Sequence, residues 1–142
     1  MKAATAPTSP TPVSLIESKG ARTVLVVDDD EAIRRLIVRA LRTTYTVFEA
    51  CDGEQANELL ALHPKVDCVI LDIMMPRLSG TDLARKMRSD AALKHVPVIF
   101  VTAKNSASEM AAGISVGARF YLSKPFSLKT LLAKVGEAMR KS

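Results

Sequence analysis

Residues 67–80 read DCVILDIMMPRLSG, and the placement of one acid in this stretch decides how the rest of the chain is read. Cys68 to Leu71 is a short apolar run with the length and branched side chains of a buried strand, and Asp72 follows its last hydrophobic residue directly. A carboxylate in such a place loses hydration and needs a partner or a task. Ile73 to Ser79 carries Pro76 and ends at Gly80, which marks a loop leading into a helix.

The same grammar recurs on both sides. Val24 to Val27 is an apolar run that breaks off into Asp28, Asp29, Asp30 and Glu31. After it, Ile33, Leu36, Ile37, Ala40 and Leu41 fall at helical spacing, and Asp30 or Glu31 is placed to cap the helix. Tyr45 to Phe48 reads as a second strand, and Gly53 opens a helix that carries Ala56, Leu59, Leu60 and Leu62 and stops at His63-Pro64. Beyond the stretch quoted above, a helix bears Leu83, Ala84 and Met87 on one side. Val96 to Val101 is a fourth strand ending in Thr102, and Asn105 to Val116 a fourth helix. Arg119 to Leu122 is a short fifth strand leading to Ser123-Lys124-Pro125, and a last helix aligns Leu128, Leu131, Leu132, Val135 and Met139.

Five strands alternating with five helices, with apolar strand interiors, predict an α/β fold: a doubly wound, flavodoxin-like parallel sheet covered on both faces. In the order 2-1-3-4-5 the ligand crevice lies between strands one and three, beyond their carboxyl ends. Those strands end in Asp28-Asp29 and Asp72, so the acids stand where such a fold binds its ligand.

At 142 residues and 48% hydrophobic, the chain supports one domain with a substantial core. Residues 1–20, rich in Ala, Thr, Pro and Ser, are expected to be a disordered tail, with Val13, Leu15 and Ile16 as a possible docking patch, and residues 21–142 the folded domain. No apolar run reaches the roughly 20 residues of a membrane span, and prolines at 7, 10 and 12 interrupt any signal-peptide core, giving a cytoplasmic reading. Cys51 and Cys68 have neither metal-ligand spacing nor a predicted bridge. The net charge of +5 resides entirely from Lys104 onward, where seven basic residues meet two acidic ones. Without interleaved aromatics, zinc spacing or a basic arm, this excess argues against nucleic acid as a partner of the domain and for an acidic protein surface.

Asp28 and Asp29 after strand one, Asp72 after strand three, Thr102 after strand four and Lys124 after strand five converge at one end of the sheet. Taken singly, Asp72 is readable as a loop cap, Lys124 as a snorkelling side chain and Thr102 as a strand end. Together, three carboxylates repel one another unless a cation holds them ionised, and one lysine does not offset three acids. Oxygen ligands suit Mg²⁺, with calcium as the less favoured ion because no EF-hand spacing occurs. Metal, hydroxyl and lysine suit a transferring phosphoryl group. The absence of GxxxxGKS/T and GxGxxG argues against ATP as direct donor, leaving a carboxylate nucleophile, Asp72, that takes the phosphoryl group from another carrier.

Five separated motifs, VLVVDDD, VILDIMMPRLSG, VTA, GARFYL and SKPF, resemble those of a response-regulator receiver domain of two-component phosphorelays, over roughly Thr23 to Arg140. The resemblance implies that Asp72 is the phospho-acceptor, that Asp28, Asp29 and Asp72 bind Mg²⁺ together with the Met74 carbonyl, and that Thr102 and Lys124 contact the phosphoryl oxygens. It further implies Tyr121 as a switch moving with Thr102, and a cis peptide between Lys124 and Pro125, where residue preferences alone favour trans. A flavodoxin would need a phosphate loop where Asp28 to Glu31 stand, and a haloacid-type phosphatase a second acid where Met74 stands.

The expected partners are a sensor histidine kinase or histidine phosphotransfer protein as donor and a downstream effector protein as reader, the latter on the face of helix four, strand five and helix five. Val38 and the arginines of helix one are the candidate donor-docking surface. Asp72 is expected to be a modified site and the chain no turnover enzyme, a monomer or a phosphorylation-dependent dimer. Met74, unable to orient a hydrolytic water through its side chain, predicts slow loss of the phosphoryl group. Only polar residues follow the last helix, so a single-domain regulator is the main expectation and a receiver cut from a longer protein the alternative.

Overall fold

Alternate residues of each strand feed two different cores, which is the side-chain geometry of a sheet covered on both faces. Residues 22–103 and 107–140 are described by a computed structural model; the expectations for residues 1–20 and for a helix start at Asn105 lie outside them. The strands are β1 (Thr23–Val27), β2 (Thr46–Ala50), β3 (Cys68–Leu71), β4 (Val98–Thr102) and β5 (Phe120–Ser123). The helices are α1 (Glu31–Leu41), α2 (Gly53–Leu62), α3 (Gly80–Arg88), α4 (Ala107–Ser115) and α5 (Leu128–Arg140). All neighbouring strands pair in parallel in the order β2-β1-β3-β4-β5, as the sequence predicts.

Val24 and Val26 point into a core closed by Ile37 and Leu41 of α1 and by Leu131 and Val135 of α5. Leu25 and Val27 point the other way, into a core with Leu60 of α2 and with Leu83 and Met87 of α3. Four helices start on side chains that accept the free amides of the first turn: Asp30 from Ile33 N (3.2 Å), Asp52 from Gln55 N (2.8 Å), Ser79 from Asp82 N (3.2 Å) and Ser127 from Thr130 N (3.2 Å). Of the two acids considered for α1, Asp30 is therefore the cap.

Some expected faces turn out differently. Leu36 is 46% exposed and Val38 only 5%. The buried stripe of α1 is Ile37, Val38 and Leu41, because α5 packs over the flank that bears Val38. Val38 thus cannot belong to a docking surface; Arg35, Leu36 and Arg39 are exposed on that helix. Leu62 and Leu132 are also exposed, at the outer edges of α2 and α5. β2 starts one residue and ends two residues later than expected, β4 starts two and ends one later, and β5 is shifted by one, since Pro97 has no amide to give a ladder and Ala50, Thr102 and Ser123 still pair across the sheet.

Two close approaches set the loops. A Cβ on Gly80 would collide with the carbonyl of Asp72, so only glycine lets α3 start against the end of β3. Gly117 has a positive φ of 85°, and a Cβ there would lie 2.7 Å from Arg88 Nε. That guanidinium donates to four carbonyls: Val116 (3.2 Å), Lys94 (2.7 Å), Val96 (3.2 Å from each terminal nitrogen) and Gly117 (3.1 Å). Burial lowers its pKa, yet every contact keeps the cation useful. One side chain thereby ties the end of α3 to the turn after α4 and to the approach to β4. Arg88→Met is expected to lower unfolding free energy by roughly 1.5–3 kcal/mol, the range for a charged hydrogen-bonding group whose partners are left unmet, read as a lower urea midpoint at unchanged slope.

Candidate functional site

β1 and β3 are adjacent, and their last residues, Val27 and Leu71, are partners in the ladder. Asp28 and Asp72 each follow directly, so the two acids are side by side at the carboxyl end of the sheet. The main chain holds them there: Asp72 N donates to Val27 O at 3.0 Å and Asp28 N to Ala50 O at 3.2 Å. Both are buried, Asp28 at 2% and Asp72 at 5% exposure, whereas Asp29 is exposed. Each buried acid accepts an amide two residues on, Asp28 Oδ1 from Asp30 N (2.9 Å) and Asp72 Oδ1 from Met74 N (3.1 Å). This is the Asx-type bond that favours Asp at the start of a loop.

Lys124 arrives from β5, two strands away from β3. Its amide donates to the carbonyl of buried Thr102 at 2.9 Å, and its peptide to Pro125 is cis. The ammonium lies 2.9 Å from Asp28 Oδ2 and 3.0 Å from Asp72 Oδ2. Burial works to lower its pKa, but the hydrogen bonds to Asp28 and Asp72 prevail and raise it. Asp28 is itself pushed up, first by burial and then by the Asp72 charge, against the lowering effects of the Asp30 amide and Lys124. One cation is thus shared between two buried carboxylates.

Asp28, Asp29 and Asp72 each offer one oxygen within 4.8 Å of the others. An all-oxygen, all-carboxylate set already arranged around an ammonium fits a hard divalent cation such as Mg²⁺. Met74 is 51% exposed, with its amide on Asp72 and its side chain at the rim. Tyr121 is half-buried, its ring 6.2 Å from that of Phe100 and against Gly113 of α4. Asp28, Asp29, Asp72, Thr102 and Lys124 therefore meet at one place, while Tyr121 lies beside it on the far side of β4.

Sequence reasoning passed over the groups that hold this cluster. Arg34 donates from Nη1 to the Asp28 carbonyl (2.9 Å) and from Nε to Glu49 Oε1 (2.8 Å). An Asp directly after a strand is the local signal that the Asx bonds offered; the Arg34 contact has none, because it depends on how α1 lies over β1. Cys51 is exposed and Cys68 buried, its thiol pushed up to about 12 by burial; both are free. Among the described residues no helix is long and apolar enough to cross a membrane.

The response regulator receiver domain family matches residues 24–136. A curated relative, the response regulator MprA of Mycolicibacterium vanbaalenii, is 42% identical over 120 residues, covering 84% of this chain and 51% of its own length. The chain thus spans about half the length of the curated relatives it matches. Among solved structures, chemotaxis protein CheY4 of Vibrio cholerae is 30% identical with a TM-score of 0.78, covering 83% of this chain and 98% of its own. A putative response regulator from Chloroflexus aurantiacus, also 30% identical, gives 0.79 with coverages of 84% and 98%. The fold, the ordered motifs and these similarities agree: the chain belongs to the response regulator receiver domain family.

Proposed function

We propose that this receiver domain accepts a phosphoryl group on Asp72 from a phosphohistidine of a sensor histidine kinase or histidine phosphotransfer protein. The observation that carries this reading is the pair of buried carboxylates, Asp28 and Asp72, bridged by Lys124 at the ends of adjacent parallel strands. In the transfer, the histidine N–P bond breaks, an Asp72 Oδ–P bond forms, and the released imidazole nitrogen takes up a proton. Asp28, Asp29 and Asp72, with the Met74 carbonyl, would hold Mg²⁺, which supplies neutralisation of phosphoryl charge. Lys124, already 3.0 Å from Asp72, is in reach of phosphoryl oxygens once they are attached, and Thr102 stands beside it through the bond between their main chains.

Asp72 is here the modified site itself, so the domain signals and does not turn over a substrate. The donor docks on the exposed side of α1, with Arg35, Leu36 and Arg39, close to the acids at the start of that helix. The effector reads the face of α4, β5 and α5, where Ile114 is 62% exposed. We place the exchange in the cytoplasm. A second reading, in which this is the receiver portion of a larger regulator with a DNA-binding or enzymatic output domain, is favoured by the half-length coverage of its relatives.

Incubation with acetyl phosphate and Mg²⁺ is expected to add one phosphoryl group, seen as intact mass, that Asp72→Asn abolishes; an unmodified wild-type mass would sink the proposal. The lifetime of that group forms a separate expectation. Because the Met74 side chain offers no hydrogen bond to an attacking water, Met74→Asn should shorten the phosphoryl half-life several-fold, measured by decay of the same mass peak after donor removal.

A further inference from the structure

Two adjacent arginines on α1 have different fates. Arg35 is solvated, its guanidinium 3.2 Å from exposed Glu31. The Arg34 side chain is only 12% exposed and turned toward the acidic end of the sheet, where it grips Asp28 O and Glu49 Oε1. Every polar atom of Asp28 is then engaged: its amide by Ala50 O, its carbonyl by Arg34, Oδ1 by the Asp30 amide and Oδ2 by Lys124. The carbonyl is the atom for which the strand ladder has run out, since Asp28 stands one residue beyond β1. It belongs to the same planar peptide unit as the amide of Asp29. A rotation of that plane would swing both carboxylates that β1 contributes to the cluster.

We infer that Arg34, braced by Glu49, is a positioning residue for the divalent-cation site, fixing the Asp28–Asp29 peptide and thereby the aim of two of its three acids. This rests on the Mg²⁺ reading given under Proposed function. Arginine suits the task because its fork reaches a carbonyl and a carboxylate at once, which a lysine cannot reproduce in the same geometry. Charge and positioning predict opposite outcomes. A guanidinium near a divalent cation repels it, so if charge were all that mattered, removing Arg34 would tighten binding. If Arg34 aims the acids, removing it weakens binding.

The test is a titration of the full chain with MgCl₂ and no phosphodonor, followed by calorimetry and by the amide NMR shifts of Asp29 and Asp30, for wild type, Arg34→Met, Arg34→Lys and Glu49→Gln. Arg34→Met is expected to raise the Mg²⁺ dissociation constant about tenfold, the low end for losing a group that orients a metal ligand, with smaller rises for Arg34→Lys and Glu49→Gln. Urea unfolding of each variant establishes that the species titrated is folded, and Arg34→Lys carries the test where the methionine variant does not fold. An unchanged or tighter constant in a folded Arg34 variant overturns the inference. Failure of the wild type to bind Mg²⁺ overturns the metal reading beneath it, so the two failures are told apart by which protein shows them.

Discussion

Too many negative charges at one end of a parallel sheet is the constraint on which this molecule is built. Two unit charges at 4 Å interact by on the order of 4 kcal/mol in the partly screened environment near a protein surface, and three carboxylates crowd within 4.8 Å here. The chain answers with what it has: one lysine bridging two acids, two loop amides and the backbone ends of β1 and β3. Burial, and after it the neighbouring Asp72 charge, still leave the pKa of Asp28 raised. Three carboxylates gathered around one lysine at the carboxyl end of the sheet make an all-oxygen donor set of the kind that suits a hard divalent cation. The family membership gives that donor set a setting in phosphorelay signalling.

Lys124 also explains why the strand order matters. It follows β5, yet its ammonium reaches the ends of β3 and β1, passing over β4. Its own amide is fixed on Thr102, so the lysine is aimed from the end of β4 as much as from its own strand. The site thus draws on four strands, and none of its side chains is close to another in sequence except Asp28 and Asp29. Parallel topology makes this economical: every strand delivers its last residues to the same edge.

The fold was legible because its signals are local and redundant. Each apolar run is short, each is followed by a turn signal and each helix has a periodic face, so the βα alternation survives errors of a residue or two at every boundary. The placement of Asp28, Asp29, Asp72, Thr102 and Lys124 at one end of the sheet was legible for the same reason, since each stands at or within two residues of a strand's carboxyl end. What was not legible depends on how one element lies over another. The spacing of α1 admits Leu36 or Val38 on its inner flank, and only the position of α5 decides for Val38. Arg34 and Arg35 are equivalent in sequence, and the edge strand carrying Glu49 separates them. Arg88 reads as one more surface cation until the four carbonyls around it come into view.

The distance between the reacting end and the expected reading face is short, and it runs through one strand pair. Thr102 and Ser123 are partners in the ladder, as are Phe100 and Tyr121 two residues earlier. The Tyr121 ring leans on Phe100 and on Gly113, where a Cβ would come within about 3.2 Å of both rings, so α4 approaches β4 and β5 closely only because that position is bare. A few residues on, α4 ends and the chain runs into Val116 and Gly117, whose carbonyls Arg88 holds. The carboxyl end of the helix that bears exposed Met110 and Ile114 is therefore both tied to α3 and packed against an aromatic three residues from the lysine of the site. Arg119, Tyr121 and Lys124 share β5 and its flanks, so the carboxyl end of the sheet, where Asp72 stands, and the surface offered by α4, β5 and α5 adjoin one strand.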